Sequence, residues 1–170
     1  MNQKNRAATG RVAKVMMYLT WIVGLALASY FFQIWIEHKH NPNQFISSNP
    51  DTPLVLQQNA QGHYVASGEI NNVAVTFLLD TGATHVIISE DPASKLRLVA
   101  QGTTRVITAN GVISVYPTYL KSIKIGTLEA SGVKALINPF AVDSTVLLGM
   151  SFLKHLTLIQ RDGTLTLSAP

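Results

Sequence analysis

At 170 residues the chain is too short for two large domains but long enough for one buried core with an N-terminal extension. Its net charge of +4 lies wholly in residues 1–40, where Lys4, Arg6, Arg11, Lys14 and Lys39 face a single Glu37; the rest of the chain is neutral and offers no basic face for nucleic acid. The lack of cysteine excludes disulfides, a thiolate nucleophile and any thiolate-held zinc or iron–sulfur group.

Residues 1–14 form a basic segment, and Val15 to Ile36 follow as 22 residues without a charge. At about 1.5 Å per residue such a helix covers a hydrocarbon core of roughly 30 Å, which predicts a transmembrane helix over 15–36. Trp21, Tyr30 and Trp35 suit the membrane interface, and four basic residues precede the run while only Lys39 follows closely. The N-terminus is therefore expected in the cytoplasm and residues 37–170 outside it. A cleaved signal peptide is the competing reading, since Ala26-Leu27-Ala28 precedes Ser29, but the apolar run continues through Tyr30 to Ile36. Both readings export the domain.

From Glu37 to Pro53 the composition turns to Asn, Pro, Ser, Gln and His, the pattern of a flexible linker. His38 and His40, with Lys39 between them, read as a solvated juxtamembrane cluster, so no metal and no cofactor is expected. Residues 54–170 then form the folded domain, and nearly all of it reads as strand. His63–Ile70 and Val73–Leu79 make a hairpin around Asn71-Asn72 that leads into Asp80. Val86–Ile88 is a short buried run, and Ser89-Glu90-Asp91-Pro92 opens a short helix to about Leu96. Thr103–Thr108 and Val112–Leu120 flank Asn110-Gly111, a strong hairpin signal. Ser122–Ile125, Ala130–Ile137 and Ser144–Leu148 continue as strands, Met150–His155 as a turn or two of helix, and Leu156–Gln160 with Thr164–Ser168 as a closing hairpin. Many short strands with turns every eight to twelve residues predict a small all-β barrel or folded sheet.

Chemistry concentrates at Leu79-Asp80-Thr81-Gly82-Ala83-Thr84. A carboxylate ending an apolar strand is costly to bury unless its oxygens are satisfied, and the Thr81 and Thr84 hydroxyls and the amides of a glycine turn can supply those hydrogen bonds. Two such carboxylates sharing one proton would hydrolyse a peptide, one acting as base on water while the other protonates the carbonyl. Other sites are weaker. Gly149-Met150-Ser151 lacks the second glycine of a nucleophile elbow, Asp143-Ser144-Thr145 lacks the needed glycine, Asp51-Thr52-Pro53 replaces it with proline, and His63, His85 and His155 stand alone.

A second element starts 66 residues beyond Asp80: Val146-Leu147-Leu148-Gly149, apolar and running into a short helix. With Leu79-Asp80-Thr81-Gly82-Ala83-Thr84 it resembles the retropepsin-like aspartic proteases, and specifically the bacterial, membrane-anchored, single-domain members. The resemblance covers residues 60–168. It implies a small closed barrel of the retropepsin type with one short C-terminal helix, Asp80 as the catalytic aspartate, Thr81 as the hydroxyl locking two active-site loops, and Gly82 as the turn residue. It also implies a flap tipped by Asn110 and Gly111, with Val146, Leu147, Leu148 and Gly149 behind the site. The chain has one candidate aspartate where the chemistry wants two, so the active form is expected to be a homodimer acting on a polypeptide substrate, in the inner membrane with the domain periplasmic. The alternative is a peptide- or partner-binding module of the same fold that hydrolyses nothing.

Overall fold

The computed structural model describes residues 3–46, 49, 52–108 and 111–169, and the chain divides into two units, residues 1–39 and 40–170. In the first unit the uncharged run sits inside a longer helix, α1 (Gln3–His40). From Lys14 to His40 this helix is long and apolar enough to cross a membrane, a property it shares with a signal sequence. Near its C-terminal end Phe32 stacks on Trp35 at 5.9 Å, and the Lys39 ammonium lies 3.9 Å from the Trp35 ring centroid. An aromatic ring with a cation over its face suits the headgroup layer.

Residues 37–53, a linker by composition, are ordered at their start. Glu37 to His40 continue α1, and Asn41 and Asn43 are buried in the second unit. The Asn43 side chain accepts the Gln57 amide at 2.8 Å and donates to the carbonyls of Gln57 at 2.9 Å and Val65 at 2.7 Å. Its own amide bonds to Asn41 Oδ1, and its carbonyl accepts the Ser67 amide. Polar composition alone signals solvent, yet a buried side chain that satisfies three backbone groups is a structural strap.

The second unit holds β1 (Leu54–Gln57), β2 (Val65–Ile70), β3 (Val73–Leu79), β4 (Val86–Ser89), α2 (Glu90–Lys95), β5 (Thr104–Thr108), β6 (Gly111–Ile125), β7 (Leu128–Asn138), β8 (Val146–Leu148), α3 (Met150–Leu153), β9 (Thr157–Arg161) and β10 (Thr164–Ser168). Six strands close a barrel in the order β2-β3-β8-β4-β7-β6, and β6 returns to β2 through Glu69–Lys124 and Ile70–Ile123. Two of these pairings are parallel, β3 with β8 and β4 with β7. Inside lie Ile70, Phe77, Ile88, Ile123, Leu148 and Phe152, none more than 2% exposed. Each such side chain contributes about 1.5–3 kcal/mol by leaving water. Gly68 is forced by this closure, since a Cβ there would strike the Lys124 carbonyl and come within 2.8 Å of the Phe77 ring.

The expected hairpin into Asp80 is present, with Asn71 and Asn72 at φ of +51° and +66°, the left-handed pair that a two-residue turn between strands requires. The segments expected as two strands, 112–120 and 122–125, form the single strand β6. It pairs with β5 up to Val115 and with β7 from Tyr116 onward, so a change of partner, not a break, separates them. A second sheet, β1-β10-β9, packs Leu54, Leu56, Leu165 and Leu167 onto the core. The four residues of β1 are too few to announce a strand by period.

Replacing Asn43 with Ala strands the Gln57 amide and the Val65 carbonyl, and a buried group without a partner costs about 1–3 kcal/mol. Urea unfolding of the Asn43→Ala chain is expected to show a lower midpoint with an unchanged slope, whereas replacing exposed Thr52 should leave the midpoint in place.

Candidate active site

Strand β3 carries Asp80 to its position. Phe77 is fully buried and Leu79 packs against the core, so the strand is anchored up to the residue before the carboxylate. The Asp80 amide continues the parallel ladder by donating to the Leu148 carbonyl at 3.1 Å. The chain then turns sharply. The Gly82 amide donates to Asp80 Oδ1 at 2.8 Å, and the Ala83 amide to the Asp80 carbonyl at 3.3 Å. Asp80 is half-buried, while Thr81, Gly82 and Thr84 are exposed. Of the hydrogen bonds expected for the carboxylate, the glycine-turn amide supplies one; among the described residues Thr81 and Thr84 supply none. An exposed threonine beside the carboxylate remains available to another molecule.

The apolar-Gly segment and the Asp80 loop form one unit through three consecutive residues. A Cβ on Gly149 would lie 2.6 Å from the Ala83 carbonyl oxygen and closer still to that of His85, so only glycine fits under the loop. The Met150 amide donates to the Ala83 carbonyl at 2.7 Å. The Ser151 hydroxyl accepts the Val86 amide at 3.0 Å and donates to the Lys134 carbonyl at 2.8 Å, stitching α3 to the starts of β4 and to β7. By sequence Ser151 is one residue of the short helix over 150–155. No local signal marks it, because its partners lie 65 and 17 residues away. Val146 and Leu148 are fully buried behind the loop, and Leu147, half-buried, is the register partner of both Leu78 and Ile87.

Strands β5 and β6 form the hairpin expected around Asn110-Gly111. Gly111 stands at its tip with φ +113°, and Asn110 lies outside the described residues. Ile107 and Val112 are register partners on the hairpin, 88% and 63% exposed, so it presents apolar side chains to its surroundings. Asp143 Oδ1 is engaged by the Thr145 amide in a local turn, Asp162 lies in the β9–β10 turn, and Asp51 is outside the described residues. Among the described residues no group of three histidines or carboxylates gathers as a metal site would require.

A closed six-stranded barrel whose Asp-Thr-Gly loop is locked onto an apolar-Gly turn is the architecture of the retropepsin-like aspartic proteases. A family model described as “gag-polyprotein putative aspartyl protease” matches residues 66–155, more than half of the chain, and the chain belongs to that family. Its fold matches the crystal structure of a retropepsin-like aspartic protease from Rickettsia conorii with a TM-score of 0.60 and 28% identity, over 68% of this chain and 89% of that one. Two curated relatives are similar: an uncharacterized protein in the cobV 5′ region of Sinorhizobium sp., 30% identical over 110 residues (63% of this chain), and the uncharacterized protein RP867 of Rickettsia prowazekii, 31% identical over 105 (60% of this chain). The chain spans 47% and 45% of the lengths of those two relatives.

Gly149→Ala is expected to displace the Asp80 loop, because both colliding atoms are backbone oxygens that cannot swing aside. Ser151→Ala leaves the Val86 amide and the Lys134 carbonyl short of one partner each and is expected to lower stability by about 1–3 kcal/mol. Amide hydrogen exchange checks both, with the loss of protection concentrated in residues 80–86 for Gly149→Ala and at Val86 for Ser151→Ala.

Proposed function

We propose that this chain is a membrane-anchored aspartic endopeptidase in which Asp80 pairs with Asp80 of a second copy. The observation that carries the reading is the immobilised, half-exposed Asp80, held by the Leu148 carbonyl and the Gly82 amide in a chain belonging to an aspartyl protease family. Two carboxylates within hydrogen-bond reach hold one proton between them, since like charges so close do not both ionise. The ionised partner takes a proton from a water molecule as that water attacks the scissile carbonyl. The protonated partner gives its proton to the carbonyl oxygen. Collapse of the tetrahedral intermediate moves a proton to the amide nitrogen, breaks the C–N bond and returns the pair to its one-proton state. The β5–β6 hairpin would close over the peptide with Ile107 and Val112 and exclude water.

A second copy would supply the other carboxylate, because roughly 110 folded residues hold one lobe with one Asp80. The exposed Thr81 hydroxyl, without a hydrogen bond among the described residues, is then the group that reaches the other loop. Charge asymmetry around α1 supports an N-terminus in the cytoplasm and a periplasmic domain in a Gram-negative inner membrane.

Asp80→Asn is expected to abolish cleavage of a peptide library while leaving the unfolding midpoint near wild type, and an excess of that variant should poison wild-type activity through mixed dimers. Because the pair works only with one net proton, the pH–rate profile should be a bell on the acidic side of neutral, falling at low pH as both carboxyls protonate and at high pH as both ionise. Appreciable turnover by Asp80→Asn would leave a binding module as the better reading. The topology has its own readout: alkaline phosphatase fused after Pro170 should be active in a Gram-negative host, and an inactive fusion reverses the orientation.

A further inference from the structure

The β5–β6 hairpin leaves the barrel beside a cavity. Up to Val115 strand β6 is paired with β5, and from Tyr116 onward with β7, where Tyr116 stands opposite Ile137. Ile137 is also the register partner of Ile88 on β4, so this part of the wall is continuous with the barrel. The other leg of the hairpin is tied down at the same level. The Gln101 amide donates to the Pro117 carbonyl at 2.7 Å and the Thr118 hydroxyl to the Val99 carbonyl at 2.9 Å, which fastens the chain entering β5 along β6. Between that chain, α2 and the two strands lies a cavity of about 340 Å³, at the small end of ligand-sized pockets.

The lining joins a carboxylate to apolar walls. Helix α2 contributes Glu90, Ala93 and Ser94, whose spacing of three and four residues sets them on one face. Leu98, Ala100 and the buried Ile137 add hydrocarbon, and Tyr116 adds an aromatic ring with a hydroxyl. Among the described residues the Glu90 carboxylate has no ion pair, and neither it nor the Ser94 and Tyr116 hydroxyls has a hydrogen-bond partner. Such a cavity selects a cation carried on a hydrocarbon stem, since the stem leaves water against the walls while the head meets the carboxylate. An anion would be repelled by Glu90, and a purely apolar ligand would leave it unmatched. A guanidinium suits the site better than an ammonium: it is planar, so it lies against a tyrosine ring, and its fork of donors serves a carboxylate and a hydroxyl together.

We propose that this cavity takes the side chain of an arginine from another polypeptide and that, once filled, it braces the β5–β6 hairpin against the barrel. The occupant touches α2, which is anchored in the core by Ala93 and Leu96, and Ile137 in the barrel wall. It also touches Tyr116 on one leg of the hairpin and Leu98 and Ala100 on the chain leading into the other. Bridging both legs to the barrel removes freedom at the root, where a small rotation moves the tip most. The site uses neither Asp80 nor a second copy, so it stands or falls apart from the peptidase reading.

The test reads binding at the cavity walls. Full-length chain in detergent micelles, with its leucine and isoleucine methyls labelled for NMR, is titrated with the acetylated, amidated tripeptide Ala-Arg-Ala, its lysine counterpart and its neutral citrulline counterpart. The arginine peptide is expected to give saturable shifts at the Leu98 and Ile137 methyls, the lysine peptide to bind more weakly and the citrulline peptide not to bind. Glu90→Gln should weaken arginine binding about tenfold, as loss of one charge-assisted hydrogen bond does. Ala100→Phe should fill the cavity and abolish binding, while Asp91→Asn, beside Glu90 but outside the lining, should leave it nearly unchanged. All three substitutions fall on exposed residues and should keep the wild-type urea midpoint. On saturation, amide hydrogen exchange over residues 104–108 and 111–115 should slow. Shifts that are absent, that the citrulline peptide reproduces, that survive Ala100→Phe, or that Asp91→Asn weakens as much as Glu90→Gln overturn the site. Lysine binding as tight as arginine overturns the arginine assignment, and unchanged exchange overturns the brace. Cleavage of a peptide library by the same sample bears on the peptidase reading alone.

Discussion

Everything at the candidate site depends on one close approach, that of the Gly149 backbone to the carbonyls of Ala83 and His85. Because no side chain intervenes, the loop after Asp80 lies directly on the turn into α3, and the Met150 amide can reach the Ala83 carbonyl. The carboxylate is thereby fixed from two directions, by β3 leading into it and by the residues after β8 beneath the loop that follows. A catalytic group held to within a fraction of an ångström loses little to reorganisation during reaction, and a position maintained by backbone contacts is better suited to that than one maintained by mobile side chains.

That approach in turn requires β8 to run parallel to β3, and parallel neighbours need long crossovers. Between Leu79 and Val146 the chain supplies β4, α2, the β5–β6 hairpin and β7 before it returns. The crossover is therefore most of the barrel, and the hairpin is part of it: β6 leaves β5 at Val115 and joins β7 at Tyr116 without a break. A tug on the hairpin is carried along one strand into the wall of the core, with Thr118, only 2% exposed, pinning that strand to the Val99 carbonyl at 2.9 Å.

Much of this was legible in the residues. Asn71-Asn72 and the segment around Gly111 announced their hairpins because positive φ demands particular side chains, and the uncharged run from Val15 announced a long apolar helix because spanning length is set by composition. The Asp80 loop and the apolar-Gly segment were each readable, and their pairing came through resemblance to a family. What stayed hidden depended on partners distant along the chain. Asn43 looks like solvent-facing linker until Gln57 and Val65 fold beside it, and Ser151 looks like a helix residue until Val86 and Lys134 arrive. Strand β1 is too short for its alternation to be seen and exists because β10 pairs with it. Thr81 and Thr84 were read as partners of the carboxylate because their spacing allows it. The turn instead presents the Gly82 amide, as a backbone donor two residues on needs no rotamer to be frozen.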